Sequence, residues 1–365
     1  MAQSRRRKIR VLIVSDGKRG HVHQSEGVVR KMRNIAARKI EIRMGKLSYL
    51  FLILIALLAR YLRFSRGFIW LCLQRVMRVS LVSLVKFSPD MIISAGSLTH
   101  PATYLLGRIW NARTVVCMRP SVLPPKSFDL VVVPRHDSRR CRGDNVIYTM
   151  GATSTITEGY IFAEAVALYS RLKGSITRPI GLLVGGNSAF NYLDADTTRE
   201  IVQEILLACE ENDFSILCCS SRRTPPEAER ILETELGSHK RCAYLLLASE
   251  SAENPVPGII GLCEVVVVTE DSVSMVSEII AGGKSAVVVE IGKKKKQSKF
   301  EIMYKELMEE NLITYTKAAG LNRSVVEALA RRREAVRALD ESGRVAAEIE
   351  QRFFTAGGGT GVRQE

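Results

Sequence analysis

The sequence predicts an α/β protein built from two Rossmann-like, doubly wound domains that face a common cleft. Its 365 residues are enough for two domains, because a typical domain contains about 150 residues. Apolar runs rich in β-branched residues alternate with helical stretches, which is typical of parallel sheets covered by helices. With 46% apolar and 25% charged residues, the composition is globular and excludes disordered and collagen-like chains.

The order of the elements divides the chain into two halves of similar plan. In the first half, strands are predicted over 8–15, 39–47, 91–95, 114–118, 130–134 and 145–150, with helices over 23–37, 49–63, 68–86 and 101–110. The pattern breaks over 173–179, and strands then follow over 180–184, 215–219, 243–247, 264–268 and 285–290. We therefore expect an N-terminal domain at 1–172, a C-terminal domain at 173–354 and a glycine-rich, disordered tail at 355–365.

The net charge of +15 is concentrated at the start of the chain. Residues 1–88 contain 20 lysines and arginines but only three acidic residues, whereas the other 277 residues contain 33 basic and 35 acidic ones. Within this basic region, 49–59 is an uninterrupted apolar run, too short for a spanning helix of about 20 residues. Followed by Trp70 and several arginines, it predicts that 47–86 lies on an anionic membrane surface. A core helix of the first domain remains the alternative.

The cysteines and the composition exclude several other classes of protein. None of the eight cysteines forms a C-x-x-C pair, which argues against a zinc site and a disulfide framework and favours buried, reduced thiols. Aromatic residues make up only 6% and no nucleic-acid motif is present, so we expect no nucleic-acid partner. We find no signal-peptide pattern and expect a bacterial protein in the cytoplasm, peripheral to the inner face of a membrane.

The loop over 15–21 follows the first strand and leads into a helix. Gly17 and Gly20 allow a tight turn and a close backbone approach, and the helix start favours an anion or oxyanion. His21 ends the loop, and an imidazole is a general base suited to neutral pH. The alternative is a glycine-rich turn with a capping histidine.

Two loops of the second half carry groups suited to a diphosphate. Gly185-Gly186-Asn187-Ser188 is a turn of the phosphate-binding type but lacks the pattern of a nucleotide triphosphatase. In the segment 220–226, Arg222 and Arg223 follow a strand beside two serines, as expected for a diphosphate site. A structural role for this second loop remains open.

The segment 269–278 (TEDSVSMVSE) is the most specific single motif. A strand ends in small hydroxyl residues and opens a helix, where backbone N–H groups are suited to phosphate. Glu278, further along this helix, is suited to a ribose diol. A plain N-cap by Asp271 or Ser272 is the alternative, and the two functions are compatible.

Two further loops are weaker candidates. His136 and Asp137, in the loop 134–137, are suited to orienting a substrate hydroxyl, although a structural role is as good an interpretation. The lysines over 293–296 are typical of a solvated loop, but they follow the last strand and are able to meet an anionic lipid or phosphate.

Together these motifs resemble a known family. The segments DGKRGH, 134–137, Met150-Gly151-Ala152, LLVGGNS, CSSRRTPPE, TEDSVSMVSE and AGGKS are similar, in order, to the mitochondrial-fission "elongated mitochondria" family. That family includes plant proteins of mitochondrial division and bacterial members regarded as candidate glycosyltransferases. More distantly, the layout resembles GT-B glycosyltransferases such as the lipid-II-forming transferase and the galactolipid synthases. Asp16, Lys18 and Arg19 depart from that group, in which these positions are mostly glycine.

The resemblance implies a metal-independent transfer of sugar from a nucleotide-sugar donor to a lipid or lipopolysaccharide-type acceptor at a membrane, without a cofactor. His21 is then the catalytic base, and Gly17, Gly20, Gln24, His136 and Asp137 belong to the acceptor side. The donor-binding residues are Gly185, Gly186, Asn187, Ser221, Arg222, Arg223, Thr224, Asp271, Ser272, Ser274, Met275 and Glu278. A non-enzymatic peripheral membrane adaptor, as the fission role of the plant members suggests, is the alternative.

Overall fold

A computed structural model describes residues 7–77, 82–172, 176–294, 300–331 and 340–354 of the protein. The side chains of Arg19, Val82, Ser83, His136, Arg139 and Arg140 are outside this description. The chain forms two compact units, Met1–Thr155 with Asp340–Glu365 and Ile156–Leu339, called unit 1 and unit 2 below. The predicted tail at 355–365 and Lys295 and Lys296 lie outside the described residues.

The described part of unit 1 up to residue 155 contains six strands and five α-helices. In chain order these are β1 (Ile9–Ser15), α1 (Arg19–Lys31), β2 (Ile35–Glu41), α2 (Lys46–Leu58), α3 (Arg66–Met77), α4 (Val82–Phe87), β3 (Met91–Ala95), α5 (His100–Trp110), β4 (Arg113–Cys117), β5 (Leu130–Pro134) and β6 (Val146–Thr149). The strands form one parallel sheet in the order β2-β1-β3-β4-β5-β6. This order is doubly wound, with the chain reversing its direction beside β1.

The alternating side chains of β1 divide the core of unit 1 into two layers. Leu12 and Val14 belong to a cluster with apolar residues of α2, α3 and α5, whereas Val11 and Ile13 belong to a second cluster with residues of α1. All four side chains are at most 5% exposed. Strands covered on both faces have continuous apolar sequences, which is why most of them are predictable.

Unit 2 repeats this plan. Its elements are α6 (Glu158–Tyr169), β7 (Ile180–Leu183), β8 (Asn191–Tyr192), α7 (Ala195–Asn212), β9 (Ile216–Cys219), α8 (Pro226–Leu236), β10 (Cys242–Leu246), α9 (Val256–Leu262), β11 (Val265–Thr269), α10 (Val273–Ala281), β12 (Ser285–Val289), β13 (Gly292–Lys293), α11 (Phe300–Glu309), β14 (Ile313–Thr316) and α12 (Leu321–Arg331). The parallel sheet has the order β10-β9-β7-β11-β12-β14, and β8 pairs with β13 in a separate antiparallel ribbon. The predicted class, two Rossmann-like α/β domains, is confirmed.

The boundary between the units lies at 155/156 rather than at the expected 172/173. Helix α6 belongs to unit 2, where it packs against α9. The last helix, α13 (Glu341–Phe353), returns to unit 1 and buries Val345 and Ile349 completely in the layer beside α1. Ser342 fixes this return, since its Oγ donates to the Ser154 carbonyl at 2.8 Å and accepts from the Ser154 N–H at 2.9 Å.

Three predicted elements differ from the structure. Helix α1 ends at Lys31 and β2 occupies 35–41, whereas a helix to 37 and a strand over 39–47 were expected. Asn34 adopts a left-handed φ of 52°, which ends the turn, and β2 then pairs in register with β1. The predicted helix over 68–86 is described as α3 and α4, and residues 78–81 lie outside the described part. Strand β14, at the sheet edge beside β12, was not predicted.

Helix α2 contains most of the apolar run and is both a core helix and an exposed apolar surface. Leu52 and Ala56 are fully buried in the core of unit 1. Leu47, Leu50 and Leu54, on the other side, are 84%, 60% and 52% exposed. Among the described residues, no helix is long and apolar enough to cross a membrane.

Candidate functional site

Three of the predicted loops meet at one edge of the unit 2 sheet. They follow β7, β9 and β11, which are adjacent strands in the order β9-β7-β11. Because these strands are parallel, their carboxyl ends lie at the same edge, where ligands of doubly wound sheets bind. The sequence therefore placed Gly185, Arg222 and Ser272 correctly at the ends of strands, and the structure shows that these strands are neighbours.

Gly185 and Gly186 allow the other two loops to approach the end of β7. A Cβ on Gly185 would lie 2.2 Å from the Asp271 carboxylate, and one on Gly186 would lie 2.0 Å from the Arg223 carbonyl oxygen. Neither distance is possible for a real side chain, so both positions require glycine. The pair has a packing function here, which is compatible with the phosphate-binding function that the sequence suggested.

Hydrogen bonds fix the loop after β9 against the loop after β7. The Thr224 hydroxyl lies 2.5 Å from the Gly185 carbonyl oxygen, and the Asn187 N–H donates to the Arg223 carbonyl at 2.9 Å. Within its own loop, Thr224 Oγ1 accepts from the Ser221 N–H at 2.8 Å. The buried Thr224 side chain thus holds the two loops together, whereas the Asn187 side chain is exposed.

Asp271 connects all three loops from the interior. Its carboxylate accepts from Thr269 Oγ1 at 2.7 Å and from Arg223 Nη2 at 2.6 Å, and Thr269 in turn accepts from the Gly185 N–H at 2.7 Å. The Asp271 side chain is fully buried, while that of Arg223 is 45% exposed. Burial raises the pKa of the Asp271 carboxyl, and the Arg223 guanidinium acts in the opposite direction. Of the adjacent residues Arg222 and Arg223, Arg223 therefore forms an internal ion pair with Asp271.

The exposed groups at this edge form a different set. Arg222 and Ser274 are exposed, and Met275 and Glu278 are half-buried. Ser274 lies in the first turn of α10, whose N-terminus follows buried Ser272. A guanidinium beside a helix N-terminus attracts an anion, and a carboxylate in the second turn accepts hydrogen bonds from hydroxyl groups.

Glu270 is a central buried residue that the sequence analysis did not single out. Its carboxylate accepts from Asn191 Nδ2 and the Ile291 N–H at 3.0 Å each and from the Tyr315 hydroxyl at 2.6 Å. The Tyr304 hydroxyl donates to its carbonyl oxygen at 2.6 Å. Burial is the largest effect on the Glu270 carboxyl and raises its pKa. The sequence signal for Glu270 was the presence of two consecutive acids directly after a buried strand. In the structure, Glu270 fixes the ribbon of β8 and β13.

In unit 1, His21 lies in the first turn of α1 and pairs with Asp16. The two Asp16 carboxylate oxygens lie 2.9 and 3.1 Å from His21 Nδ1. The Asp16 side chain is 3% exposed and that of His21 is 20% exposed. Since a carboxylate only accepts, Nδ1 carries the proton of the neutral ring and leaves the lone pair on Nε2.

The His21 ring lies on Gly96, directly after β3. Gly96 has a φ of 90°, and a Cβ there would lie 2.3 Å from His21 Nδ1. Beneath them His100, the first residue of α5, is 2% exposed and packs edge-on against Phe128 with 5.9 Å between ring centroids. Burial lowers the pKa of His100 to about 4, so its ring is neutral at pH 7.

The other residues expected on the acceptor side occupy the same sheet edge. Gly17, with a φ of 77°, and Gly20 lie in the loop and first turn around His21. Gln24 follows one turn later in α1, and its carbonyl accepts from Thr153 Oγ1 at 3.0 Å. Asp137 is half-buried in the short helix after β5 that also contains His136, whose side chain is outside the described residues.

Among the described residues, no group of three or more histidines, cysteines or acids is arranged to hold a metal ion. All eight cysteines are free, seven are buried, and Cys242 is half-buried. Burial is the largest effect on the Cys263 and Cys219 thiols and raises their pKa, that of Cys219 to about 12. These thiols are apolar packing groups.

The family model described as mitochondrial fission ELM1 matches residues 19–353. The chain belongs to this family. Its sequence is 25% identical over 230 residues to the mitochondrial fission protein ELM1 of Arabidopsis thaliana, covering 56% of this chain and 52% of the relative. It is 26% identical over 235 residues to an uncharacterized protein of Rickettsia prowazekii, covering 54% and 64%. The match thus spans less than two thirds of either relative.

Solved structures with the same fold cover nearly the whole of this ELM1-family chain. The UDP-N-acetylglucosamine 2-epimerase of Methanocaldococcus jannaschii matches with a TM-score of 0.56 and 12% identity, covering 94% of this chain and 99% of the other. The enzyme of Neisseria meningitidis, solved with bound UDP-N-acetylglucosamine, matches with a TM-score of 0.51 and 13% identity over 94% and 99%. These matches confirm the GT-B-like fold.

Proposed function

We propose that the protein is a metal-independent glycosyltransferase that moves a sugar from a nucleotide-sugar donor to a membrane-associated acceptor. The observation that carries this proposal is the meeting of three loops at the carboxyl ends of β9, β7 and β11. Solved structures of the same fold with bound UDP-sugar support a nucleotide-sugar as the ligand.

The donor's diphosphate is assigned to Arg222, the exposed arginine, and to the N-terminal turn of α10 at Ser274. These groups stabilise the negative charge of the departing nucleoside diphosphate, a task that a metal ion performs in other transferases. Glu278, one turn further along α10, is assigned to the ribose hydroxyls. Asp271 and Thr224 hold the loops in place and do not contact the donor.

His21 is proposed as the catalytic base. Its Nε2 takes the proton of an acceptor hydroxyl while that oxygen bonds to the anomeric carbon of the sugar. The bond between this carbon and the diphosphate oxygen breaks, and its electrons leave with the diphosphate. Asp16 keeps Nδ1 protonated and stabilises the imidazolium that forms.

The membrane part of the proposal rests on residues 42–89, which contain eight basic residues and no acidic one. In this stretch, α2 exposes Leu47, Leu50 and Leu54. Apolar side chains flanked by cations are suited to the headgroup region of an anionic bilayer, where burial and charge attraction add. This surface would hold unit 1 at the inner face of a membrane that contains the acceptor.

The second candidate function, a non-enzymatic membrane adaptor, is supported by the fission role that the family description names. An adaptor needs the surface of α2 but does not need a donor site. The two functions therefore differ in one measurable property, the binding of a nucleotide.

The test is a calorimetric titration of the full chain with uridine, guanosine, adenosine and cytidine diphosphates and their common sugar conjugates. We expect micromolar binding of one base series, weakened roughly tenfold or more in Arg222→Ala and Glu278→Ala, since each loses a contact to a charged group or hydroxyl. Arg230→Ala is the matched control, because Arg230 is exposed on α8, in the same unit. Its affinity should equal that of the wild type.

No binding of any nucleotide by the folded protein would refute the transferase and leave the adaptor. Equal weakening in Arg222→Ala and Arg230→Ala would refute this position of the diphosphate.

A further inference from the structure

Arg119 is a half-buried arginine of unit 1 that no part of the proposed mechanism uses. It lies two residues beyond β4, at the same sheet edge as His21. It has no hydrogen bond or ion pair with any side chain that the structure describes. It lies near the Cys141 thiol, whose pKa is raised by burial, and the Arg119 charge acts in the opposite direction. A half-buried guanidinium that forms no ion pair with a described carboxylate is suited to an anionic ligand.

The backbone before Arg119 is strained. Met118 has a φ of 80°, in the left-handed region that costs a residue with a Cβ free energy. Its N–H donates to the Val132 carbonyl at 2.8 Å, which holds the turn against β5. Arg119 directly follows this strained residue at the end of β4 and keeps part of its side chain exposed.

Tyr49 connects this edge to the exposed apolar helix. It lies in the first turn of α2, and its hydroxyl donates to the Ser97 carbonyl at 3.2 Å. Its phenol also interacts with the side chain of Ser121, two residues after Arg119. Ser97 directly follows Gly96, on which the His21 ring lies. One side chain thus ties the start of α2 to the loops that carry both Arg119 and the support of His21.

An apolar surface therefore begins within one helical turn of the arginine's loop. Leu47 and Leu50 flank Tyr49 on α2, and both are more than half exposed. The arrangement combines an aliphatic surface, one unpaired cation and, at the same edge, the proposed base. An amphiphile with an aliphatic chain, a phosphate and a hydroxyl-bearing head group has one part that is complementary to each of these three.

We infer that unit 1 binds a phosphate-bearing lipid, with its phosphate on Arg119 and its aliphatic chains on the exposed face of α2. This inference rests on the proposed function, because it identifies the acceptor as an anionic lipid whose head group reaches His21. It also assigns Arg119 as a binding residue and Tyr49 as a positioning residue.

The test uses dihexanoyl phosphatidic acid below its micellar concentration, titrated into the full chain. We expect saturable binding that weakens roughly ten- to a hundredfold in Arg119→Gln, the usual loss for a hydrogen bond between charged groups. Arg33→Gln is the matched control, since Arg33 is exposed in the turn after α1, at the opposite end of the sheet. It removes the same charge and should leave the affinity unchanged.

Two further probes separate a lipid from a free anion. Inorganic phosphate and octyl glucoside each have one part of the amphiphile, and we expect both to bind at least tenfold more weakly. Leu50→Glu should weaken the binding of the phosphatidic acid without changing that of inorganic phosphate. Because Leu50 is 60% exposed and Arg119 has no hydrogen bond or ion pair with a described side chain, both variants should keep the wild-type melting temperature.

Unchanged lipid affinity in Arg119→Gln, or inorganic phosphate bound as tightly as the lipid, would overturn the inference. The proposed function is tested by a different measurement, the binding of a nucleotide. Nucleotide binding without lipid binding removes only the inference, whereas lipid binding without nucleotide binding removes the transferase and leaves a phospholipid-binding protein.

Discussion

Asp16 and His21 form a hydrogen-bonded pair within one loop, with the Asp16 carboxylate 2.9 Å from His21 Nδ1. The Asp16 side chain is 3% exposed, so the pair is shielded on its acidic side, while the ring keeps 20% exposure. The tautomer and the orientation of the imidazole are therefore fixed before any substrate arrives.

The first prediction concerns Asp16 as a positioning residue. Asp16→Asn should reduce kcat by roughly a hundredfold or more, within the range of general base catalysis. The asparagine amide can donate a hydrogen bond to Nδ1, which favours the tautomer with the proton on Nε2 and removes the base. The pH profile of kcat should change as well, which a merely structural role would not produce. His23→Gln, two residues along the same helix, is the control and should keep the wild-type profile. A wild-type pH profile in Asp16→Asn would contradict this role.

The second prediction concerns Gly96. Gly96→Ala should lower the free energy of unfolding by at least about 1–2 kcal/mol, because its φ is 90° and the new Cβ would overlap the His21 ring. Gly159→Ala, where the space around the Cβ is open, should be neutral or stabilising. Urea unfolding of both variants measures the difference. Equal stability of the two would show that the His21 ring is not held on Gly96.

The third prediction separates the two adjacent arginines. Arg223→Ala should destabilise the fold by about 1–3 kcal/mol, because it leaves the buried Asp271 carboxylate without its ion pair. Arg222→Ala should leave the melting temperature unchanged and weaken nucleotide binding instead. Thermal unfolding and calorimetry on the same samples give both quantities. A stability loss in Arg222→Ala alone would reverse the assignment.

The fourth prediction concerns pH and His100. Its folded pKa of about 4 lies below the value of about 6.5 for a free imidazole, so the unfolded chain binds more protons as the pH falls. His100 should therefore contribute about 2 kcal/mol less stability at pH 5 than at pH 7.5. His100→Gln should lack this loss, whereas His239→Gln, at a partly exposed position, should keep it. Buried Glu270 and Asp271 titrate equally in all three proteins, so parallel urea series isolate the effect.

The fifth prediction concerns α2. Leu50→Glu combined with Leu54→Glu should reduce sedimentation with phosphatidylglycerol vesicles more than tenfold, because it removes exposed apolar area and adds negative charge. Leu207→Glu is the control, since Leu207 is 43% exposed on α7 and is not part of the basic stretch 42–89. Binding by the wild type should also fall with salt. Equal sedimentation of all variants would exclude α2 as the membrane surface.

Most of the fold was predictable because buried parallel strands have continuous apolar sequences, as Val265–Thr269 shows. Strand β2 was displaced in the prediction because it lies at the sheet edge, where Arg38 and Lys39 are exposed and the apolar pattern is interrupted. The return of α13 to unit 1 depends on contacts such as Ser154 with Ser342, far apart in the sequence. No local pattern contains that information.

The candidate site was predictable in its loops but not in its pairings. Ligand-binding loops follow the carboxyl ends of strands, so position indicated the loops that contain Gly185, Arg222 and Ser274, while residue type and the family resemblance singled out these residues. The ion pair between Arg223 and Asp271 joins two different loops. Since Arg222 and Arg223 are adjacent and of the same type, the sequence gives no means of telling which of them forms this pair. Arg119 was overlooked because a single arginine after a strand has no distinctive pattern, and only its lack of a partner makes it notable.

Sugar transfer is tested most directly by the release of nucleoside diphosphate. Sugar conjugates of the nucleotide that binds would be incubated with the protein and with vesicles of anionic bacterial lipid. The proposed function predicts release that requires the vesicles and falls to background in His21→Asn, while nucleotide affinity stays unchanged. Tight nucleotide binding with no release from any donor, or release that is equal in His21→Asn, would contradict it.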